Sequence, residues 1–211
     1  MRSLLKIKRA LPALMVIMTM PVLYGAGWAG NWESIRQTMS QIHSISAIFT
    51  QKKNLRILAR PLVSTGRFYY HAPRDLRWEY TAPIKNVLLV HGGKVAMYIW
   101  VKDAFTRDEG PQIEATRIVM EQIASWLRGN FHDNRAFIPS LTQGNPPRII
   151  LTPAHHGLRK LIKSITLTLS GTSGAISTIE IREPQGSSTV IEFSHIALNT
   201  PLSGTTFEKV R

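Results

Sequence analysis

Residues 66–83 read GRFYYHAPRDLRWEYTAP. In the run DLRWEYT, set between two Ala-Pro pairs, Leu76, Trp78 and Tyr80 alternate with Arg77, Glu79 and Thr81. Strand side chains point alternately to two faces, so this run is a strand with one apolar wall and one wet side. Phe68 and Tyr70 stand at alternate positions ahead of the first Ala-Pro pair, which marks a tight turn. Phe49, in SISAIFTQKK, follows the same two-residue period with Ile45 and Ala47. Phe49, Phe68, Tyr70, Leu76, Trp78 and Tyr80 can therefore share one face of three successive strands.

Working outward, Trp32, Ile35, Met39 and Ile42 recur at helical spacing in NWESIRQTMSQIHS, with Asn31 as N-cap. The period changes to two at Ile45, and that strand runs into a polar turn near Lys52 to Asn54. LVSTGRFYYH, DLRWEYT, KNVLLVH and KVAMYIW read as a meander with turns at the Ala-Pro pairs and Gly92-Gly93. Residues 103–110 read as a polar loop. A second helix is expected from Pro111 to Gly129, with Ile113, Met120, Ile123, Ala124 and Leu127 on one face and Glu114, Arg117, Glu121 and Arg128 outward. PRIILTP, SITLTLSG, ISTIEIREP, STVIEFSHIAL and TTFEKV read as further strands. The fold class is mainly β: about ten antiparallel strands and two helices, with no repeat and no linker long enough to divide the chain. So many twisted strands in one sheet bend toward a barrel or half-barrel, and the helices are left to plug its open side.

The first thirty residues are of another kind. Arg2, Lys6, Lys8 and Arg9 precede the apolar run Ala10 to Leu23, and Gly27 and Ala29 occupy the small-residue positions of a cleavage site. Residues 1–29 are expected to be a removed signal peptide and 30–211 a single exported domain. There is no cysteine, hence no disulfide, no thiolate chemistry and no lipid-bearing cysteine after the cleavage point. The formal charge is +13. Four basic residues leave with the leader, and the remaining 22 Lys/Arg against 13 Asp/Glu give +9. The excess lies in residues 31–102, with 11 basic against 3 acidic residues, whereas residues 103–211 have 11 against 10. In an exported chain such a balance favours anionic head groups and acidic protein patches over nucleic acid. The same charges also serve simply to keep strand faces and loops wet.

The signatures of enzyme chemistry are missing: the sequence has no G-x-S-x-G, H-E-x-x-H, P-loop or dinucleotide glycine pattern. His155 and His156 are adjacent in a loop, where two side chains seldom converge on one metal. Asp108 and Glu109 sit beside Arg107 and Gly110 with no apolar setting to raise a carboxyl pKa. No catalytic residue, metal ligand or cofactor is expected. Alternation leaves open whether the apolar interior is a filled core or a ligand cavity.

GRFYYHAPRDLRWEYTAP followed by LLVHGGKVAMYIW resembles the outer-membrane lipoprotein carrier family, and SISAIFTQKK resembles that family's opening. IILTP, IEIREPQGSSTVIEF and TTFEKV fit its later strands more loosely. The resemblance implies a periplasmic, monomeric carrier: an incomplete β-barrel closed by lid helices over an apolar cavity for lipoprotein acyl chains. It would receive cargo from an inner-membrane exporter and pass it to an outer-membrane acceptor. On this reading Phe49, Phe68, Tyr70, Leu76, Trp78, Tyr80, Leu89 and Met97 line the cavity, and Ile35, Met39 and Met120 belong to the lid. The family's lid-tying arginine, just before the turn proline, is Ala72 here, and Arg74 is the candidate replacement. That departure suggests a divergent carrier, with a lipid, glycolipid or other acylated cargo as the second reading. A membrane-anchored acceptor of the same fold would need a cysteine, and an envelope lipid hydrolase would need a nucleophile and base, with His155 or His195 the histidines to examine.

Overall fold

The computed structural model describes residues 31–108, 122–132 and 135–210. Helix α1 (Trp32–Ser40) leads into strand β1 (Ser44–Asn54), then β2 (Leu62–His71), β3 (Asp75–Ala82), β4 (Asn86–His91), β5 (Lys94–Val101) and β6 (Ala104–Asp108). Residues 122–127 are helical and are called α2 here. They are followed by β7 (Phe137–Thr142), β8 (Arg148–Pro153), the one-turn helix α3 (His156–Arg159), β9 (Ser164–Leu169), β10 (Ile176–Arg182) and β11 (Ser188–Leu198). A 3-10 turn, Gly204–Thr206, lies near the C-terminus.

All eleven strands form one antiparallel sheet in the order β6-β5-β4-β3-β2-β1-β11-β10-β9-β8-β7. Each half is a meander, and the first and last strands of the chain, β1 and β11, join the halves over a long register from Ile45 opposite Leu198 to Asn54 opposite Ser188. The two outermost strands, β6 and β7, do not pair with each other, so the barrel is incomplete. The inner faces of both halves contribute to one apolar cluster that holds Phe49, Trp78, Leu151 and Leu167 together with Met39 and Trp126. Accumulated strand twist curls the sheet, and the helices fill the hollow.

Gly66 lets the three aromatic strands close up. A Cβ there would stand within 2.6 Å of the Phe49 ring and closer still to the Glu79 carbonyl. Only a residue without a side chain allows Phe49 of β1 to lie over β2.

Several sequence expectations are corrected. The loop expected at 103–110 contains β6, whose charged residues mask its pairing: Tyr98 opposes Arg107 and Met97 opposes Asp108. Strand β7, to which the sequence reading assigned no element, contains Pro139 and lies at the sheet edge, where a proline is tolerated. The first strand continues through Lys52 to Asn54 rather than turning there. TTFEKV is not a strand, but a 3-10 turn and a tail laid on the outside of β3. His155 caps, and His156 begins, the short helix α3. Of the second helix, Pro111, Ile113, Met120 and their neighbours lie outside the described residues, as does the leader.

Candidate functional site

The candidate site is the concave, apolar side of β1–β5 under the two helices. Register sets which residues face it. Phe68 opposes Trp78, and Tyr70 opposes Leu76. Trp78 then opposes Leu88, and Leu88 opposes Met97. Phe49, Phe68, Tyr70, Leu76 and Trp78 are all at most 5% exposed, while Tyr80 and Met97 are half-buried at the edge of the cluster. The sequence-expected aromatic wall is thus assembled on one face. Its rings contact in tilted and edge-on pairs: Phe49 and Trp78 at 5.1 Å, Phe49 and Tyr80 at 5.1 Å, Phe68 and Trp78 at 5.3 Å. Such pairs add about 0.5–1.5 kcal/mol each beyond the area they bury.

Leu89 does not belong to this wall. It pairs with Arg77 and Ala96 and so points outward, leaving its expected place to Leu88 and Val90. It is nonetheless buried, because the C-terminal tail covers that outer face. Arg77, expected in water, is 8% exposed. Its Nε donates to Glu79 Oε2 at 2.8 Å, and its guanidinium donates to the carbonyls of Thr206 and Lys209 at 3.1 and 2.8 Å. Phe207 of the same tail is buried, its ring 6.4 Å from that of His71.

Phe193 of β11 completes the aromatic group, 5.5 Å from Phe68 and 6.0 Å from Trp78. The alternation in STVIEFSHIAL carried its signal, although a bulge at His195 and Ile196, opposite Ala47, disturbs the period after it.

The helices differ in how they are held. Asn31 Oδ1 accepts from the Ser34 N–H at 2.7 Å and caps α1, whose Ile35 and Met39 are fully buried in the cluster. Asn199 fixes the other end of α1 to the sheet: its Oδ1 accepts from the His43 N–H at 2.7 Å, and its Nδ2 donates to the Gln41 carbonyl at 3.0 Å. Helix α2 packs against α1 where Gly129, with φ 78°, closes the helix; a Cβ at that position would stand 3.1 Å from the Arg36 Cα. Its inner face presents Ile123, Trp126 and Leu127 to the aromatic wall.

Arg128, at the end of α2, donates to the Pro73 carbonyl at 2.7 Å, and the Tyr70 hydroxyl approaches the same oxygen at 3.4 Å. A tie between helix and β2–β3 turn therefore exists, with its arginine on the helix rather than on the turn. Arg74 is exposed, and no hydrogen bond links it to a helix among the described residues. Arg128 was expected to face solvent, and helical periodicity alone gives no sign that it reaches across to a turn. Burial pushes the Tyr70 phenol above its usual pKa, and the Arg128 guanidinium opposes that shift. Burial likewise raises Tyr80, opposed by the Trp78 and Gln51 side chains, the latter accepting from its hydroxyl at 2.9 Å.

Between α2 and the wall lies an apolar space lined by residues that include Ile45, Phe68, Trp78, Trp126, Phe193 and Ile196. Its open volume is about 20 Å³, enough for one water and far too small for an acyl chain. The interior is closed by α2 itself. On the outer side, two polar grooves of about 340 and 260 Å³ share Arg67 and Glu79; Lys209 lines the first, and Lys85, Trp100 and Phe105 line the second. Among the described residues no three His, Cys, Asp or Glu side chains gather as a metal site, and no helix is long and apolar enough to cross a membrane.

Compared with known proteins, the family model described as outer membrane lipoprotein carrier protein LolA matches residues 40–209. No curated protein sequence matches the chain. Among solved structures, the Pseudomonas aeruginosa MucA/MucB complex is similar at 12% identity and a TM-score of 0.50, over 85% of this chain and 60% of that one. A DUF1329 family protein from Desulfovibrio piger is 11% identical with a TM-score of 0.46, over 83% and 94% of the two chains. LolA superfamily protein NE2245 from Nitrosomonas europaea is 11% identical with a TM-score of 0.39, over 84% and 97%. At these identities the structural likeness concerns the fold.

Proposed function

The chain belongs to the outer membrane lipoprotein carrier (LolA) family, and from that premise we propose that it is a periplasmic carrier that shields the acyl chains of lipoproteins passing from inner to outer membrane. The observation that carries this reading is the apolar hollow whose filling, α2, is held to the barrel rim by a polar tie at Arg128 rather than by continuous sheet.

The energetics suit such a task. Each exposed methylene costs about 0.8 kcal/mol, so an acyl chain of about fifteen costs roughly 12 kcal/mol in water. Displacing the inner face of α2 exposes Ile123, Trp126 and Leu127, at about 1.5–3 kcal/mol each, roughly 5–9 kcal/mol together. An acyl chain outcompetes the helix by a few kcal/mol only. Cargo is therefore taken up from water and can still be handed on, because the returning helix recovers most of what the chain gives up.

The basic first half would dock an acidic patch on the exporter, with Arg67 and Lys85 in the outer grooves among the contacting charges. Such docking weakens steeply as salt rises. A second reading, a carrier of phospholipid, glycolipid or another acylated molecule, is favoured by Ala72 and by the relocated tie: a lid held from a different side opens with different geometry. The test is uptake of a fluorescent acyl probe by the purified chain from Gly30 onward. Saturable binding that Trp78→Glu abolishes is expected; absence of binding by the native chain contradicts the proposal.

A further inference from the structure

Turns that face water are ordinarily built from Gly, Pro, Asn, Asp and Ser. The β1–β2 connection departs from this: residues 56–63 read RILARPLV, and every one of them is exposed. Ile57 stands at the tip, 89% exposed, in a turn closed by the Leu58 N–H donating to the Leu55 carbonyl at 2.9 Å. Lys53, Arg56 and Arg60 flank the tip and have no ion-pair partner among the described residues, whereas Lys52 is paired with Glu192 at 2.9 Å. No acidic residue occurs between Glu33 and Asp75. The same pairing of an exposed apolar side chain with a cation recurs at three other places: Ile84 beside Lys85, Val101 beside Lys102, and Leu161 beside Lys160. Register brings all four to one end of the sheet. Thr65 opposes Ala82 and Asn86 opposes Ile99, while Asn54 opposes Ser188, which opposes Arg182, itself opposite Ser164. The other end turns through Ala72-Pro73, Gly92-Gly93 and residues 171–174, and exposes no Leu, Ile, Val or Trp among the described residues.

An exposed leucine or isoleucine on its own is ordinary, but charge needed only to keep a surface wet has no reason to accompany apolar tips at one end. Against these cations the turns at that end carry Asp103 and Glu183 among the described residues. We propose that this end of the sheet is a docking surface for an anionic lipid bilayer. Ile57, Ile84, Val101 and Leu161 enter the interfacial layer, and the lysines and arginines beside them stay at the level of the head groups. Each such cation adds attraction to an anionic leaflet. An acidic protein patch would ask for one contiguous surface with a packed apolar centre, whereas these apolar groups stand on four separate turns. A bilayer conforms to separate tips. The inference goes beyond the carrier reading, since it concerns where the protein stands on a membrane and not what the hollow holds.

The test is flotation of the chain from Gly30 onward with protein-free vesicles, made of phosphatidylcholine alone or of phosphatidylcholine with an equal part of phosphatidylglycerol. Binding to the anionic vesicles is expected, weakening as salt rises, with neutral vesicles bound at least about tenfold less tightly, a difference of about 1.4 kcal/mol. Ile57→Asn and Arg56→Glu are each expected to weaken binding to the anionic vesicles by about the same tenfold factor. Both side chains are exposed, so the melting temperature and acyl-probe uptake in vesicle-free solution should stay native. Lys94→Glu, an equal change of charge at the opposite end, is expected to leave vesicle binding native. Because the chain has no cysteine, Ile57→Cys supplies a unique thiol for a nitrobenzoxadiazole label. Its emission is expected to rise and shift to the blue on the anionic vesicles, while the same label at Lys94→Cys keeps its aqueous emission. Absence of vesicle binding would overturn the docking surface and leave this end to an acidic protein. Equal binding to neutral and anionic vesicles would overturn it, as would an equal loss in Lys94→Glu or a label at position 57 that stays in water while the protein floats. None of these results bears on the carrier reading, which the acyl-probe titration decides by itself.

Discussion

Replacing Arg128 with Ala removes the hydrogen bond to the Pro73 carbonyl, 2.7 Å long and partly open to water. Hydrogen bonds from charged donors contribute about 1.5–3 kcal/mol when shielded; solvent access brings this one down to about 1 kcal/mol. The Tyr70 hydroxyl remains near the carbonyl and keeps the turn in place. The loss falls on the closed form alone, because an opened α2 cannot make the contact. When the closed form dominates, apparent affinity scales with the open fraction. A shift of about 1 kcal/mol thus raises that fraction, and lowers the apparent Kd for an acyl probe, about fivefold. Arg128→Lys, which retains a charged donor, should stay near the native value. Fluorescence titration gives the affinity, and stopped-flow mixing gives the uptake rate. An Arg128→Ala variant that folds normally yet shows native affinity and uptake would refute the assignment of this contact as the lid tie.

Gly66→Val drives a side chain into the Phe49 ring and is expected to destabilise by about 1–3 kcal/mol, read as a fall in melting temperature of about 2–4 °C per kcal/mol; a native melting curve would contradict the packing described. Arg77→Ala strands Glu79 and frees the carbonyls of Thr206 and Lys209, with an expected loss of about 2–4 kcal/mol in urea unfolding and faster proteolysis of the C-terminal tail; a change under about 0.5 kcal/mol would show that the tail is not held there. Because burial raises Tyr70 and Tyr80, the folded form binds their protons more tightly than the unfolded chain. Their contribution is fully present below the usual tyrosine pKa of about 10 and is lost as pH rises through the higher folded values, so the melting temperature should fall above about pH 10. Tyr80→Phe should make that alkaline fall shallower, and an unaltered slope would remove Tyr80 from the explanation.

The aromatic wall was legible because one face of β2 and β3 is apolar while the other carries charge, which makes the two-residue period visible. The same rule failed in β4. Val87, Leu88, Leu89 and Val90 form an unbroken apolar run, and without alternation the facing of Leu89 could not be read. The run is continuous because both sides are covered, one by the interior and the other by the tail that Arg77 and Phe207 pin down. Strand β6 escaped notice for the opposite reason: an edge strand rich in charge looks like a loop. The relocated tie was beyond sequence reading, since an arginine ending a helix is ordinary and only the fold brings it to Pro73. Phe193 carried a periodic signal and Trp126 was not among the residues assigned to the apolar face of the second helix; their meeting with Trp78 depends on the curl of the sheet and on where α2 lies.

The most direct measurement of the carrier reading is native and denaturing mass spectrometry of the chain from Gly30 onward, purified from the periplasm with whatever accompanies it. Stoichiometric acylated cargo, released on denaturation and displaced by an added acyl probe, is the expected result. A protein that arrives empty and takes up no added acyl chain would mean that the hollow is a permanently filled core, and the carrier reading would fall.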